Sequence, residues 1–290
     1  MHARNRIRPI DCQHCDAGSI QPARKIRGSG KQRSTQPLSN EAAIIHGFTE
    51  DKGAKGMPSI QFQKIISLSH VITPSIPLWP HDPAVVFTGV ASQEQDGYYL
   101  RNFSMGEHSA THMNAPNSFY PDGVGIDAYP PDSLVRPAVM IDVQAQAQAD
   151  SDYVISPQDI ENWEHEHGRI ARGCVVLFHT GWQALWGDPK RFFNEDPQGG
   201  LHFPGVGADT ARLLVEEREV AGVGIDTHGV DPGQNTAFAT NRQVLAKNGI
   251  ILECLTHLDQ LPAKGATLVI GVLQLKDGSG SPASVLAFVP

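Results

Sequence analysis

The sequence predicts an α/β fold: a single domain with a mixed β-sheet and surrounding helices. From about residue 60 onward, short apolar runs typical of strands alternate with segments typical of helices. Hydrophobic residues make up 40% of the 290 residues, enough for a sizeable core. The charge also changes sign along the chain, since residues 1–56 hold ten Lys/Arg and five Asp/Glu, whereas residues 57–290 hold thirteen and twenty-six. We therefore expect the domain to span 57–290.

Short runs rich in β-branched residues, each bounded by Gly, Pro or Asp, predict eight strands. The first of them follows the segment Met57-Pro-Ser-Ile. In chain order, the predicted strands are 62–68, 84–90, 137–143, 173–179, 221–226, 249–254, 267–275 and 284–289.

Three helices are predicted between these strands. Ser156-Pro-Gln-Asp159 supplies an N-cap, a proline in the first turn and an acidic third position, and this helix is expected to stop at Gly168. Further helices are predicted at about 207–219 and 239–248. Residues 91–135 carry few regular signals, and a loop of that length inside a compact domain is usually functional.

Residues 1–56 are expected to form a disordered basic head, because their composition cannot bury enough apolar surface to offset the entropy of ordering. We interpret the head as a dispensable or non-native upstream extension, with an organellar targeting segment as the alternative. Its Cys12-Gln-His-Cys15 is interpreted as a chance pair, since a structural zinc site needs four ligands and no second CxxC follows nearby.

Composition also narrows the classes of partner and location. A formal net charge of −8 argues against nucleic acid as the main partner. The sequence contains no run of 18 or more apolar residues, so no transmembrane helix is predicted. Four cysteines in 290 residues do not make a disulfide framework, so a reducing, cytoplasmic location is expected. The expected partner is a small-molecule substrate, with neither nucleic acid nor a membrane.

The long loop contains the densest group of potential metal ligands. His108, His112 and Asn114 fall at spacings of four and two, and imidazole nitrogen and amide oxygen both bind divalent metals. Positions 112 and 114 share one face of an extended strand, about 6.6 Å apart. For His108 to join them, the chain must bend near Ser109-Ala110, where the side chains are small. Two loop histidines without a ligand role are the alternative interpretation.

Residues 108–118 resemble the signature H-x-G-T-H-x-D-x-P-x-H of the metal-dependent cyclase family, which includes bacterial kynurenine formamidases and isatin hydrolases. The resemblance extends over roughly 60–290 in family order. It implies a swivelling β/β/α fold, a homodimer or higher homo-oligomer, and arylformamidase-like hydrolysis of a small amide, cyclic amide, aryl formamide or lactone by metal-activated water. Further matching blocks are Leu68-Ser-His70, Ile76-Pro-Leu-Trp79-Pro-His-Asp-Pro83, Leu177-Phe-His-Thr-Gly-Trp182, His202-Phe-Pro-Gly205, Gly222-Val-Gly-Ile-Asp-Thr227, Glu253-Cys-Leu-Thr-His257 and Gly278-Ser-Gly-Ser-Pro282.

By this resemblance, one Zn²⁺ or Mn²⁺ is bound by His108, His112 and Asn114, although Asn114 stands where the signature has Asp. A second metal in the family uses the shared Asp, the final His, a later His and a Glu. Those positions here hold Asn114, Ser118, Asn241 and Glu253, so three of the four are changed. Because an amide cannot bridge two cations as a carboxylate can, we expect at most one divalent metal, held less tightly.

Proton transfer to the leaving group requires a base, and Glu253, His257 and His228 are the candidates. Glu253 lies in an apolar strand, where an unpaired carboxylate would be costly. His228 follows the end of a predicted strand, the usual position of sites in α/β sheets. For His257 and His228, the alternatives are a structural role or a role as a replacement metal ligand. Trp79 is predicted to line the substrate pocket.

Two classes of function remain open. The first is a mononuclear metal-dependent hydrolase. The second is a family member that has lost hydrolysis and serves as a ligand-binding or regulatory protein, which the changes at Asn114, Ser118 and Asn241 would explain. A serine hydrolase is excluded because Gly278-Ser-Gly-Ser-Pro282 is not G-x-S-x-G between a strand and a helix. A nucleotide-binding protein is excluded because Gly222-Val-Gly-Ile-Asp226 lacks the third glycine of the motif G-x-G-x-x-G.

Overall fold

The computed structural model describes residues 59–290, and the predictions made for residues 1–56 lie outside this range. Strands and α-helices alternate along the described chain. The strands are β1 (Lys64–Ser67), β2 (Val86–Ala91), β3 (Leu100–Ser104), β4 (His112–Asn114), β5 (Val135–Asp142), β6 (Val154–Ile155), β7 (Val175–His179), β8 (Gly205–Val206), β9 (Gly222–Ile225), β10 (Ile250–Glu253), β11 (Lys264–Val272) and β12 (Gly280–Val289). The α-helices are α1 (Gln93–Asp96), α2 (Gln144–Ala149), α3 (Pro157–His167), α4 (Pro189–Phe193), α5 (Ala208–Arg212) and α6 (Ala239–Leu245).

The main sheet is mixed and runs in the order β1-β12-β11-β5-β7-β9-β10-β4. The central pairs β5–β7, β7–β9 and β9–β10 are parallel, whereas β1, β4, β11 and β12 pair antiparallel. The start of β12 also pairs with β4, so the sheet closes on itself through this short strand. The predicted α/β class with one mixed sheet is confirmed.

All eight predicted strands are present, with ends shifted by a few residues. The prediction missed β3, β4, β6 and β8. The last three contain only two or three residues, too short to show the two-residue period of a strand. β3 has every residue exposed, so it lacks the alternation that burial of one face would impose.

The three predicted helices are also present. At the start of α3, the Asp159 carboxylate accepts from the backbone N–H and the hydroxyl of Ser156 at 2.7 and 2.8 Å, as the sequence predicts. The helix predicted over 207–219 begins as α5 and continues as one π-helical stretch, Leu213–Glu217. The prediction missed α1, α2 and α4, which have four to six residues each.

Apolar side chains cover both faces of the main sheet, as expected for parallel strands between two layers. Along β7, Val175 and Leu177 enter one core cluster, and Val176 and Phe178 enter the other. The second cluster also receives Ile160 and Trp163 of α3. Among residues 59–290, no helix is long and apolar enough to cross a lipid bilayer.

Candidate active site

Strand β4 carries two of the predicted ligands into a cavity. It lies between β10 and β12, with His112 directly opposite Glu253 and Asn114 opposite Ile251. His112 and Asn114 both line the cavity, whereas Met113 between them is fully buried in a core cluster. The prediction that positions 112 and 114 share a face is therefore confirmed.

The chain bends immediately before β4, where the sequence predicts a bend. Ala110 has a left-handed backbone with φ 57°, a conformation that normally favours glycine, and the family signature has glycine at this position. The bend brings the ring of His108 to 5.2 Å from the ring of His112, centroid to centroid. His108 Nδ1 lies 2.9 Å from Asn114 Oδ1, and its Nε2 lies 2.9 Å from Ser279 Oγ.

Glu253 is a buried carboxylate at the centre of the cluster, 5% exposed. One oxygen lies 3.0 Å from His112 Nε2. The other accepts from the Val230 N–H at 2.9 Å and from Asn241 Nδ2 at 3.2 Å. Burial alone would raise the pKa of Glu253, but the hydrogen bond and charge of His112 and the N–H of Val230 lower it to about 2. Glu253 is thus ionised at neutral pH. Two donors bind one of its oxygens, and His112 Nε2 lies beside the other.

The side-chain amides of Asn114 and Asn241 connect the Glu253 carboxylate to β4. Asn114 Nδ2 donates to Asn241 Oδ1 at 2.9 Å, and Asn241 Nδ2 in turn donates to Asp231 at 3.1 Å and to Glu253. Asp231 also accepts from the backbone N–H groups of Thr240 and Asn241 at the start of α6. Burial and the charge of Glu253 raise the pKa of Asp231, against these hydrogen bonds. The two amides therefore form a neutral bridge between β4 and the carboxyl groups of Asp231 and Glu253.

His228 follows β9 and faces the same cavity from the end of the parallel strands. It is 5% exposed, and its Nε2 is buried with no hydrogen-bond partner in the described protein. The ring centroid lies 5.8 Å from that of His112 and 5.5 Å from that of Trp79. Burial and the charge of His112 lower the pKa of His228 to about 4, so the ring is neutral at pH 7.

The cavity has a volume of about 470 Å³, which suits a small organic molecule. Its polar end holds His108, His112, Asn114, His228 and Glu253. The rest of the lining includes four aromatic side chains, those of Trp79, Phe119, Phe203 and Phe238. Trp79 contacts Phe203 and Phe238 with ring centroids 6.3 and 6.5 Å apart.

The third base candidate, His257, lies elsewhere. Its backbone is left-handed, with φ 56°, its Nδ1 lies 2.8 Å from the carbonyl oxygen of Ser67, and it lines a separate cleft with His70 and Trp186. The structure therefore brings together every predicted site residue except His257. Ser118 lines the cavity, but its hydroxyl donates to the Ala115 carbonyl.

Sequence reasoning missed Asp231 and the three phenylalanines of the wall. Asp231 had a usable signal, because it follows the carboxyl end of a parallel strand within Gly229-Val-Asp-Pro-Gly233. The phenylalanines come from three separate segments, and no local pattern distinguishes them from core residues. The tertiary fold alone collects them around one space.

Comparisons with known proteins agree with this geometry. The sequence model of the family described as "Putative cyclase" matches residues 66–232, more than half of the chain. The chain belongs to this cyclase family. It is 32% identical over 245 residues to an isatin hydrolase from Roseibium aggregatum, covering 78% of this chain and 92% of that protein. It is 27% identical over 220 residues to a kynurenine formamidase from Salinibacter ruber, covering 75% and 94%.

Solved structures of cyclase-family members share the fold. An isatin hydrolase bound to the product analogue thioisatinate matches with a TM-score of 0.74 at 31% identity, covering 78% of this chain and 92% of that chain. A protein described as a predicted metal-dependent hydrolase from Bacillus stearothermophilus matches with a TM-score of 0.59 at 25% identity, covering 77% and 97%. Both named relatives are hydrolases of carbon–nitrogen bonds, and the prediction of an enzyme of this class is confirmed.

Proposed function

We propose that this cyclase-family member hydrolyses an amide, cyclic amide, aryl formamide or lactone group on a small aromatic molecule, with one divalent metal ion. The observation that carries the proposal is the cavity, in which an aromatic wall faces His108, His112, Asn114, His228 and Glu253. A planar ring would pack against Trp79, and its carbonyl group would then point to the polar end. The similarity to an isatin hydrolase supports a substrate of this kind.

The donors at the polar end fit one divalent ion. Two imidazoles that share an ion at about 2.0–2.1 Å have ring centroids roughly 4.6–5.3 Å apart, and those of His108 and His112 are 5.2 Å apart. His112 Nδ1 lies 2.8 Å from the Ala110 carbonyl oxygen, the arrangement that directs Nε2 toward a metal. Because a neutral imidazole has only one N–H, which Nδ1 donates to this carbonyl, Nε2 of a neutral His112 keeps its lone pair for an ion.

The set is nevertheless weak, because it contains no anionic ligand. Among residues 59–290, no three side chains of His, Cys, Asp or Glu are grouped to hold an ion, so the Asn114 oxygen must serve as the third donor. We propose no second ion, because its family positions hold Asn114, Ser118 and Asn241 here, and an amide cannot bridge two cations as a carboxylate can. We therefore propose a single Zn²⁺ or Mn²⁺ on His108, His112 and Asn114.

When bound, the ion would polarise the scissile carbonyl and acidify a water molecule. His228 is the side chain best placed to accept the proton of that water, because its ring is neutral and Nε2 has no partner in the described protein. The same nitrogen can return the proton to the leaving nitrogen or oxygen. Glu253 accepts from the Val230 N–H and from Asn241 Nδ2, and its other oxygen lies 3.0 Å from His112 Nε2, so its proposed role is to position His112. A catalytic role for His257 has no support from its position.

Metal content and hydrolysis of the full chain test the proposal together. We expect about one Zn²⁺ or Mn²⁺ per chain by elemental analysis, and turnover of isatin, an aryl formamide or an aryl lactone in absorbance assays. His228→Gln should lower kcat at least 100-fold while metal content is kept. His165→Gln, on the exposed face of α3, is the matched control and should change neither. Turnover unaffected by His228→Gln would contradict the proton-transfer role.

A ligand-binding protein without hydrolytic activity is the second candidate. The observation that favours it is that His108, Asn114, Asn241 and Glu253 hydrogen-bond one another or Ser279, which gives the polar end a connected set of donors and acceptors for a ligand. Less than about 0.2 ion per chain after supplementation, with no turnover, would favour this candidate over the hydrolase. We also propose a cytoplasmic location, supported by the free buried thiols of Cys174 and Cys254.

A further inference from the structure

Trp79 and Asp82 occupy the two ends of one tight turn, and both line the cavity. The Asp82 N–H donates to the Trp79 carbonyl oxygen at 3.0 Å and closes the turn. His81, at the third position, has φ 76°, the left-handed conformation that a type II turn requires there and that glycine adopts without strain. The turn thus brings an indole ring and a carboxylate to one segment of the cavity lining, although His81 is strained in it.

The Asp82 carboxylate has no hydrogen bond or ion pair to any side chain or backbone group of residues 59–290. Glu253 and Asp231 line the same cavity, but each accepts from backbone N–H groups. Asp82 is half-buried, so its charge is only partly screened by water. Of the three carboxyl groups in the lining, Asp82 is therefore the one whose oxygens are available to a ligand.

The protein supplies no cation to this carboxylate. Within the described range, the cavity lining contains no lysine or arginine. Burial lowers the pKa of both His108 and His228, so neither ring carries a positive charge at pH 7. Arg242 lies beside the lining residue Phe119, but its guanidinium stacks on that ring at 5.0 Å and donates to backbone carbonyl oxygens. A positive charge opposite Asp82 must therefore come from a bound ligand.

An indole ring together with a carboxylate is a chemical combination that recognises an organic cation. Tryptophan attracts cations to its ring face more strongly than the other aromatic side chains do, and a carboxylate forms the stronger, charge-assisted hydrogen bonds with an ammonium group. The formal net charge of −8 on the whole chain also favours the approach of a cation over that of an anion.

We infer that Trp79 and Asp82 form a subsite for a positively charged nitrogen, so that the preferred substrate is an aromatic amide or lactone that carries an ammonium group on its ring. Asp82 is the residue that determines this specificity. The inference rests on the proposed function, because it names the substrate class of the same cavity.

Two aryl formamides of equal shape test the inference on the wild-type protein. Formanilide with a para CH2–N(CH3)3⁺ group and formanilide with a para CH2–C(CH3)3 group differ in charge, and the methylene insulates the amide from that charge. We expect the full chain, supplemented with Zn²⁺ or Mn²⁺, to hydrolyse the cationic compound with a kcat/KM about tenfold higher or more, mainly through a lower KM. Equal kcat/KM values for the two compounds overturn the inference.

Asp82→Asn keeps the shape of the side chain and removes its charge. We expect the preference for the cationic formanilide to fall below about twofold in this variant. Asp132→Asn makes the same change at an exposed position outside the cavity and should keep the wild-type preference. A preference that persists in Asp82→Asn shows that another group recognises the cation and overturns the assignment to Asp82.

Binding of benzyltrimethylammonium, measured by isothermal titration calorimetry, separates this inference from the proposed hydrolysis. We expect the wild-type chain to bind this cation about tenfold more tightly than Asp82→Asn does. If that ratio is found and neither formanilide is hydrolysed, the cation subsite stands and the proposed hydrolysis fails. If both formanilides are hydrolysed equally and benzyltrimethylammonium does not bind, the hydrolysis stands and the subsite is overturned.

Discussion

At the scale of single residues, two amides determine the character of the site. Asn114 and Asn241 stand where the family signature has a carboxylate and where a later histidine is expected. Their side chains hydrogen-bond each other at 2.9 Å. Each amide both donates and accepts, so the pair bridges His108 on one side and Glu253 on the other. Relative to the family pattern, the two amides replace one charged carboxylate and one imidazole. The amide atoms that face each other are hydrogen-bonded.

Asn114→Asp should tighten metal binding and weaken the metal-free protein. A carboxylate binds a dication more strongly, and we expect the metal Kd to fall at least tenfold in a chelator competition assay. Without metal, a carboxylate oxygen would face Asn241 Oδ1 in place of the donor, which should lower the free energy of unfolding by about 1–3 kcal/mol. Asn162→Asp makes the same change at an exposed position of α3 and should do neither. An unchanged metal Kd would show that Asn114 is not a ligand.

His70 should make the stability of the protein depend on pH. Burial, and then the charge of His257, lowers the pKa of His70 to about 4, and its ring stacks on Trp186 at 4.0 Å. Between pH 6.5 and 4 the unfolded chain binds a proton at this position and the folded chain does not, so stability falls as the pH falls. Allowing for partial solvent screening, the loss is about 1–2 kcal/mol.

His70→Phe tests this assignment, because phenylalanine keeps the stacking and cannot titrate. Urea unfolding at pH 7 and pH 4.5 should show a smaller difference in unfolding free energy for the variant than for the wild type. His165→Phe, at an exposed position of α3, should keep the wild-type difference. If His70→Phe also keeps it, His70 does not bind its proton preferentially in the unfolded chain.

At the scale of elements, the shortest strand of the main sheet has the largest role in the site. Strand β4 has three residues, yet it pairs with β10 on one side and with β12 on the other. This double pairing holds His112 opposite Glu253 and directs Asn114 to the same cavity. Neighbouring strands thus fix the positions of His112 and Asn114, which the loop sequence alone leaves free to vary.

Helix α3 depends on one carboxylate at its start. Asp159 is 8% exposed and accepts from Ser156 and from the Tyr153 hydroxyl. Asp159→Ala should lower the free energy of unfolding by about 1–2 kcal/mol, since it removes the carboxylate of the capping box and leaves half-buried donors without this partner. Glu161→Ala, on the exposed face of the same helix, should cost less than about 0.5 kcal/mol. Equal losses of stability in urea unfolding for the two variants would contradict the capping role.

At the scale of the whole molecule, the main sheet protects most of its strand edges, whereas the separate β2–β3 sheet does not. The pairing of β4 with both β10 and β12 leaves no open edge at that point of the main sheet. The β2–β3 sheet keeps two outer edges without strand neighbours in the described range.

The sequence by itself determined the fold class, eight of the twelve described strands, the start of α3 and the placement of His112 and Asn114 on one face. Each of these follows from local physics, because hydrophobic period, capping chemistry and strand geometry act over a few residues. The family resemblance added the expected ligand positions and Glu253. His257 shows the limit of such reasoning, since a plausible motif position lies in another cleft.

Only the tertiary structure decided the rest. Residues 59–290 bring Asn114 of β4, Asn241 of α6 and Glu253 of β10 into one hydrogen-bonded bridge, although more than 120 positions separate Asn114 from Asn241. The grouping of Trp79, Phe119, Phe203 and Phe238 around one cavity also depends on how distant segments pack. Contacts between residues far apart in sequence arise from burial and strand pairing in the whole domain, and no local pattern encodes them.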